Sequence, residues 1–195
     1  MPRTPALALL VFLAACHSTP STPATDSTMA KTDSAAMMKP IESPYQIAYS
    51  SKFVIDDNKN AESVLKLWKV YDNGDLSAGK DLIADSIRIY LGDGTEMRGS
   101  RDSMTAAVQA FRNSFAAAVS RVDAVMAVKS TDKNEHWALI WGTETDTHKD
   151  GKIDSTDLQE TWRFNKDGKA DVVYQYARPL GRQKMMSPKM TRKKK

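Results

Sequence analysis

Two regimes of hydrophobic spacing divide the chain. In NAESVLKLWKVYDNGD (60–75), Ala61, Val64, Leu65, Trp68 and Tyr71 recur three and four residues apart and Asn73-Gly74 supplies a stop, which predicts an amphipathic helix with one aromatic-rich side. In DSIRIYLGDGTEMRG (85–99), the alternation of Ile87, Ile89 and Leu91 runs into Gly92-Asp93-Gly94, the pattern of a strand, a turn and a short return. SRDSMTAAVQAFRNSFAAAVS (100–120) restores helical spacing through Met104, Ala107, Val108, Phe111, Phe115 and Ala118, with Ser100 as N-cap and Asp102 in the first turn. Beyond Ser120 the period becomes two and stays there. Val122, Ala124, Met126 and Val128, then Trp137, Leu139 and Trp141, then Leu158, Trp162 and Phe164, then Val172, Tyr174 and Tyr176 alternate with more polar neighbours. The links are 131–134, 149–152 and 165–168, rich in Asp, Asn, Lys and Gly, so the last third predicts a meander of hairpins.

One link carries a competing reading. DTHKDGKIDSTD (146–157) places Asp146, Asp150, Gly151, Ile153 and Asp157 where a calcium loop of the EF-hand type wants them. Such a loop needs a helix on each side, whereas Thr143, Thr145 and Thr147 before it and Trp162 and Phe164 after it alternate like strands. Its third position is His148, a nitrogen ligand for a cation that prefers oxygen, and its twelfth is Asp157, shorter than the Glu that reaches for bidentate contact. A hairpin with an Asp-Gly turn is therefore expected, with no metal and no cofactor.

The amino terminus has a different character. Met1 to Pro5 precede an apolar run, Ala6–Ala15, too short to remain as a membrane-spanning helix, so residues 1–15 read as a secretion signal. Leu13-Ala14-Ala15-Cys16 resembles the lipobox of bacterial lipoproteins, which implies cleavage before Cys16 and acylation there, hence a partner in the membrane. His17 stands where an inner-membrane retention signal would place Asp, which favours the outer membrane of the cell envelope. Residues 16–44 are rich in Ser, Thr, Pro and Ala and poor in large apolar side chains, as a disordered tether would be.

Charge changes the picture at the other end. The sequence as a whole carries +4, but residues 45–181 hold 18 Lys or Arg against 21 Asp or Glu, a net of −3, while residues 182–195 hold seven basic residues and no acid. That tail is expected to be disordered, with anionic lipid as its natural contact. No basic stripe with interleaved aromatics runs through 45–181, so nucleic acid is not an expected partner. Cys16 is the only cysteine, which excludes disulfides, a thiol nucleophile and cysteine metal ligands from the folded part.

WKVYDNGD (68–75), GDGTEMRGSRDSM (92–104) and ETWRFNKDGKADVVYQY (160–176), in the order helix, hairpin, helix, meander, resemble the nuclear transport factor 2-like superfamily and, within it, the SnoaL-like branch. The resemblance spans residues 45–178 and implies an α+β domain over 45–181: a cone whose curved, antiparallel or mixed sheet packs on the N-terminal helices and leaves an apolar pocket open at one end. It does not by itself choose a function, because the fold serves enzymes and binding proteins alike. Cyclase-like members often carry an acid or base just after the final Asp-Gly-Lys, where this chain has Ala170, Val172, Val173 and Tyr174, then Ala177-Arg178.

What remains for chemistry is Glu160, which shares the parity of Leu158, Trp162 and Phe164. A carboxylate on an apolar face has its pKa raised and can serve as a base, while at a sheet edge it pairs with Lys or Arg. Glu144, Asp146 and His148 share one parity as well and form a row of the kind a divalent metal can use, although they approach a turn, where polar residues are ordinary. Trp68, Tyr71, Tyr90, Trp141, Trp162 and Tyr174 are the candidates to line the pocket, with Phe111 and Phe115 facing them from the second helix. Three functions follow: binding of a small apolar ligand or a partner without turnover, an isomerase or hydro-lyase using Glu160 as base, or a homodimer formed through the open sheet face.

Overall fold

A computed structural model describes residues 41–181 of the protein. The secretion signal, nearly all of the expected tether and the basic tail lie outside the described residues. The elements are β1 (Phe53–Ile55), α1 (Lys59–Asn73), a 3-10 stretch (Leu76–Leu82), β2 (Ile83–Leu91), β3 (Glu96–Ser100), α2 (Arg101–Arg112), β4 (Phe115–Ser130), β5 (Glu135–His148), β6 (Ile153–Phe164) and β7 (Ala170–Pro179). All seven strands form one sheet in the order β1-β4-β5-β6-β7-β2-β3. Every neighbouring pair is antiparallel except β2 and β7, which run parallel, so the sheet is mixed and the fold is α+β.

Local chemistry sets the helix limits. α1 ends at Gly74, whose left-handed φ of 80° lets its N–H reach the carbonyls of Val70 and Tyr71. α2 starts at Ser100, whose Oγ accepts from the Ser103 N–H at 3.2 Å, with Asp102 in the first turn. It stops at Arg112, before Phe115 and Ala118, the last positions of the helical spacing in the sequence. Asn113 N–H donates to the Gln109 carbonyl and Ser114 donates to the Phe111 carbonyl through both N–H and Oγ, closing the helix. The alanine-rich run behind them, helical by propensity, instead pairs with β5 from Phe115 opposite His148 onward. Phe115 and Ala118 therefore belong to β4 and not to the second helix.

The link at 149–152 is a hairpin turn. His148 N–H donates to the Lys152 carbonyl, Gly151 N–H returns to the His148 carbonyl, Asp150 Oδ1 accepts from the Lys152 N–H, and Gly151 takes φ +85°. Strands flank it on both sides, Asp146 pairing with Asp154 across the ladder, so the aspartates that resemble an EF-hand loop cap a bend.

The core lies on one face of the sheet. Val64 and Trp68 of α1 pack on Ala138 and Ile140 of β5, Phe164 of β6 and Ala170 of β7, while Met104 of α2 packs with Ile87 of β2 and Val173 of β7. This inner parity is not the one the apolar alternation selects on three of the four long strands. On β4 a bulge between Val122 and Ala124 reverses the alternation, so Val125 and Ala127 face the helices and Met126 faces out. On β5, Ala138 and Ile140 are inside while Trp137, Leu139 and Trp141 belong to the outer face; on β7, Val173 is inside and Tyr174 and Tyr176 are outside. Small residues face inward because tryptophans fill the space. A Cβ on Gly142 would lie 2.8 Å from Cζ3 of Trp68 and 2.3 Å from the Arg121 carbonyl oxygen.

Candidate functional site

Glu160 sits on β6, the central strand of the seven, opposite Ile140 on β5 and Gln175 on β7. It is 5% exposed. Its Oε2 accepts from the indole N–H of Trp68 at 2.6 Å and of Trp162 at 2.8 Å, and its Oε1 accepts from Gln175 Nε2 at 2.7 Å. Burial pushes its pKa up, and the three donors, Gln175 foremost, oppose that rise by stabilising the carboxylate. The sequence leaves two settings open for Glu160, a pocket base or an edge ion pair with Lys or Arg, and the structure gives neither. Both oxygens are engaged by core side chains, the strand is central, and the partners are two indoles and an amide. The three donors convert a buried charge, costly when bare, into a fixed link between α1, β6 and β7. Gln175 escapes the sequence reading because it stands between Tyr174 and Tyr176, whose bulk suggests the opposite parity.

Four residues along β5 from Ile140, the same inner parity brings up Glu144, Asp146 and His148. This is the end of the sheet where the C-terminus of α1 meets the C-terminus of α2. Glu144 and Asp146 lie within hydrogen-bond reach of each other. Burial, then the charge of Asp146, push the Glu144 carboxyl up to about 8, with Glu160 and Asp72 adding to the rise. Glu144 therefore carries a proton at neutral pH and donates it toward Asp146. Asp146 is itself raised by burial, opposed by that hydrogen bond and by the charges of Arg112 and His148. His148 turns its Nε2 to Asp154 at 2.7 Å, so the row seen in the sequence does not converge on a point. Among the described residues no group of three His, Cys, Asp or Glu side chains is arranged to hold a metal ion.

The frame around the carboxyl pair comes from the two helices. Arg112, 7% exposed, donates from Nε to the Tyr71 carbonyl at 2.8 Å and from NH2 to the Asp72 carbonyl at 3.1 Å, tying the end of α2 to the end of α1. Its guanidinium lies 5.7 Å from the centre of the Tyr71 ring. Asp72 Oδ1 accepts from Ser120 Oγ at 2.8 Å. Two atoms in this frame are shut off from water without a protein partner: the Tyr71 hydroxyl and Asp146 Oδ1. Burial also raises the Tyr71 pKa, so its hydroxyl stays protonated. Phe115 packs edge-on against both Phe111 and His148 at the rim, and Phe111 is 59% exposed. Arg112 and Asp72 are the framing residues that the sequence reading misses; helical spacing from Met104 and Phe111 does not reveal that Arg112 points inward.

The aromatic residues expected to share one pocket divide between the two faces of the sheet. Trp68, Tyr71 and Trp162 lie on the inner side, and Phe111 and Phe115 lie at its rim. Tyr90, Trp141 and Tyr174 lie on the outer side, where Tyr90 stacks on Tyr174 at 4.9 Å between centroids and Tyr174 stacks on Trp137 at 6.4 Å. The inner space beside Trp68 and Trp162 is occupied by the core and by Glu160, and neither of the two hollows that stand out on the described surface includes Glu160 or any of Tyr71, Arg112, Glu144 and Asp146.

No family model matches the sequence, and no curated protein matches it. Solved structures do. AusH from Aspergillus nidulans superposes with a TM-score of 0.52 at 13% identity, over 67% of this chain and 90% of that one. An epoxide hydrolase of the LEH-like type from M. tuberculosis gives 0.52 at 9% identity, over 62% and 84%. SalBIII, described as an epoxide hydrolase/cyclase-like enzyme in pyran ring formation in polyether salinomycin, gives 0.51 at 15% identity, over 63% and 93%. Identities this low speak to architecture alone. Together with the helix, hairpin, helix and meander order and the mixed seven-stranded sheet, they establish that residues 53–179 have the nuclear transport factor 2-like, cone-shaped α+β fold.

Proposed function

We propose that the domain binds a small ligand at the end of the cone framed by Tyr71, Arg112, Glu144 and Asp146, and that Glu160 is a structural anchor behind that site. The observation that carries this reading is the pair of enclosed, unpartnered polar atoms, Tyr71 Oη and Asp146 Oδ1, with the Glu144 carboxyl beside them. Enclosed polar atoms without partners are costly, and a ligand bearing a hydroxyl supplies an acceptor for the Tyr71 hydroxyl and, beside the donor that Glu144 offers Asp146, a second donor for its Oδ1. Phe111 and Phe115 offer the apolar body of such a ligand a surface at the rim. Acylation at Cys16 would hold this domain at a membrane of the cell envelope, on the strength of the lipobox-like Leu13-Ala14-Ala15-Cys16 alone.

A second reading has its own observation. Glu144, protonated at neutral pH, beside the carboxylate Asp146 is an acid next to a base, the arrangement proton transfer to a bound ligand requires. An isomerase or hydro-lyase built on this fold would use these two carboxyls and not Glu160.

Native mass spectrometry of the full chain purified from its own cells tests the binding reading. A co-purifying small molecule is expected in the unaltered protein and in Glu160→Gln, and is expected to disappear in Asp146→Leu and Tyr71→Phe. A molecule retained by both of those variants, or none in any, overturns the proposal. Turnover of the identified molecule by the unaltered protein but not by Glu144→Gln would favour the enzymatic reading.

A further inference from the structure

At the cone end, two helix termini and two carboxyls compete for one guanidinium. α1 finishes with carbonyls that the helix itself does not satisfy, and Arg112, the last residue of α2, supplies donors to them: Nε to the Tyr71 carbonyl at 2.8 Å and NH2 to the Asp72 carbonyl at 3.1 Å. A third donor, NH1, reaches the Phe115 carbonyl at the start of β4 only at 3.4 Å. The fit is close, since a Cβ on Gly74 would lie 3.6 Å from NH2. All three acceptors are neutral. Glu144 and Asp146 stand nearby, the charge of Arg112 acts on Asp146, and Asp146 Oδ1 is an enclosed acceptor with no protein partner. The titratable and charged groups that face this corner are Tyr71 and Asp72 on α1, Arg112 on α2, Glu144, Asp146 and His148 on β5, and Asp154 and Glu160 on β6.

We propose that Arg112 is a latch between the two helix ends, closed while Glu144 holds its proton and released when that proton leaves. With Glu144 neutral, the guanidinium answers one carboxylate of the pair and the C-terminus of α1, whose carbonyls carry partial negative charge. Once Glu144 ionises, two carboxylates stand side by side withdrawn from water, a costly state without a cation. Bonds from a guanidinium to a carboxylate are roughly twice as strong as those to a neutral carbonyl. Arg112 therefore turns from Tyr71 and Asp72 to the carboxyl pair, and the two helices lose their tie. His148 does not take that part, because its Nε2 is held by Asp154. The trigger falls at about 8, where Glu144 titrates, so the latch is shut at neutral pH. It surrounds the binding site proposed above but does not rest on it, being a property of the backbone with or without a ligand.

Hydrogen exchange of the full chain in detergent, followed by mass spectrometry at about pH 6.5 and about pH 9 with exchange times matched for the intrinsic rate, tests the latch. The amides of Gly74, Asn113 and Ser114, which close the two helices, are expected to lose at least tenfold in protection at the higher pH. Those of Trp162 and Val173, beside Glu160, are expected to keep theirs. Glu144→Gln, which cannot ionise, is expected to protect the helix ends equally at both values. Arg112→Met is expected to leave them unprotected at both, with the strands intact by circular dichroism. Unchanged protection in the unaltered protein, the same loss in Glu144→Gln, or helix ends in Arg112→Met as protected at about pH 6.5 as in the unaltered protein would each overturn the proposal. Should Arg112→Met fail to fold, the Glu144→Gln comparison decides alone. Absence of a co-purifying molecule bears on the binding reading and leaves these outcomes as they are.

Discussion

Glu160 and Glu144 stand on neighbouring strands, face the same side of the same sheet and are both withdrawn from water, yet their surroundings treat their charge in opposite ways. Around Glu160 three N–H groups converge, from Trp68, Trp162 and Gln175, and the carboxylate is spent on holding α1, β6 and β7 together. Around Glu144 there is no such convergence, only a second carboxyl, Asp146, with Asp72 and Glu160 adding like charge from farther off, so the group keeps its proton to about pH 8. Burial alone does not mark a working carboxylate. The useful quantity is hydrogen-bonding capacity left over after the protein has taken its share, and that capacity lies with Asp146 and Tyr71 at the cone end.

If the Glu160 region is a structural anchor, damage there should be large and should appear in stability. Trp68 contributes both a donor and the ring that packs on Val64, Ala138, Ile140 and Phe164. Trp68→Ala is expected to cost about 5 kcal/mol, since it opens a cavity and leaves a buried carboxylate one donor short. Glu160→Leu keeps the volume but strands two indole N–H groups and an amide, and should cost about 3 kcal/mol. Urea unfolding followed by circular dichroism measures both; a cost below about 1 kcal/mol for either would mean that the cone closes without this link.

The sequence conveys the number and order of the elements well, because helical and alternating spacing are local properties of the chain. It conveys much less about which face of the sheet is inside. Period two is satisfied equally by Trp137, Leu139 and Trp141 or by Ala138 and Ile140, and hydrophobicity favours the wrong set, because α1 brings its own tryptophan and needs small residues opposite. The bulge between Val122 and Ala124 reverses β4 with no glycine or proline to announce it. The end of α2 is hidden for a related reason: Ala116 to Ala118 favour a helix in isolation, and the strand appears only once β5 is there to pair with it. Glu160 is legible as an acid on an apolar face with Trp162 two residues along, but its other two donors are not, since they come from 92 residues upstream and 15 downstream. The Glu144–Asp146 alternation is visible in the sequence; that the two share a proton depends on how Asp72, Tyr71 and Arg112 enclose them.

The cone end should instead announce itself through pH. A carboxyl whose folded pKa is raised contributes stability that is fully present below its unfolded value, near 4.5, and is lost as pH rises through its folded value, about 8. The protein should therefore lose on the order of 2 kcal/mol between pH 5 and pH 8.5 from this group, the nominal shift being discounted because Asp146 titrates with it. Glu144→Gln keeps a donor toward Asp146 and removes the titration. It should match the unaltered protein at pH 5 and exceed it in stability at pH 8.5. Parallel stability curves for the two proteins across that range would show that Glu144 is ionised in the native state at neutral pH, and the contrast with Glu160 would vanish.

The finest test is Glu160→Gln, where the expected effect is smallest. Its amide oxygen can still accept from both indoles, and its new N–H₂ faces Gln175, whose own amide can rotate to present oxygen in place of nitrogen. All three partners stay satisfied, and a buried charge has been removed, so the stability change should stay within about 1 kcal/mol. A functional base tolerates no such neutral copy, because an amide cannot take a proton. If Glu160→Gln is as stable as the unaltered protein and keeps the same bound molecule, Glu160 acts through its geometry alone; if it keeps its stability but loses that molecule, Glu160 belongs with Glu144 and Asp146 in the site.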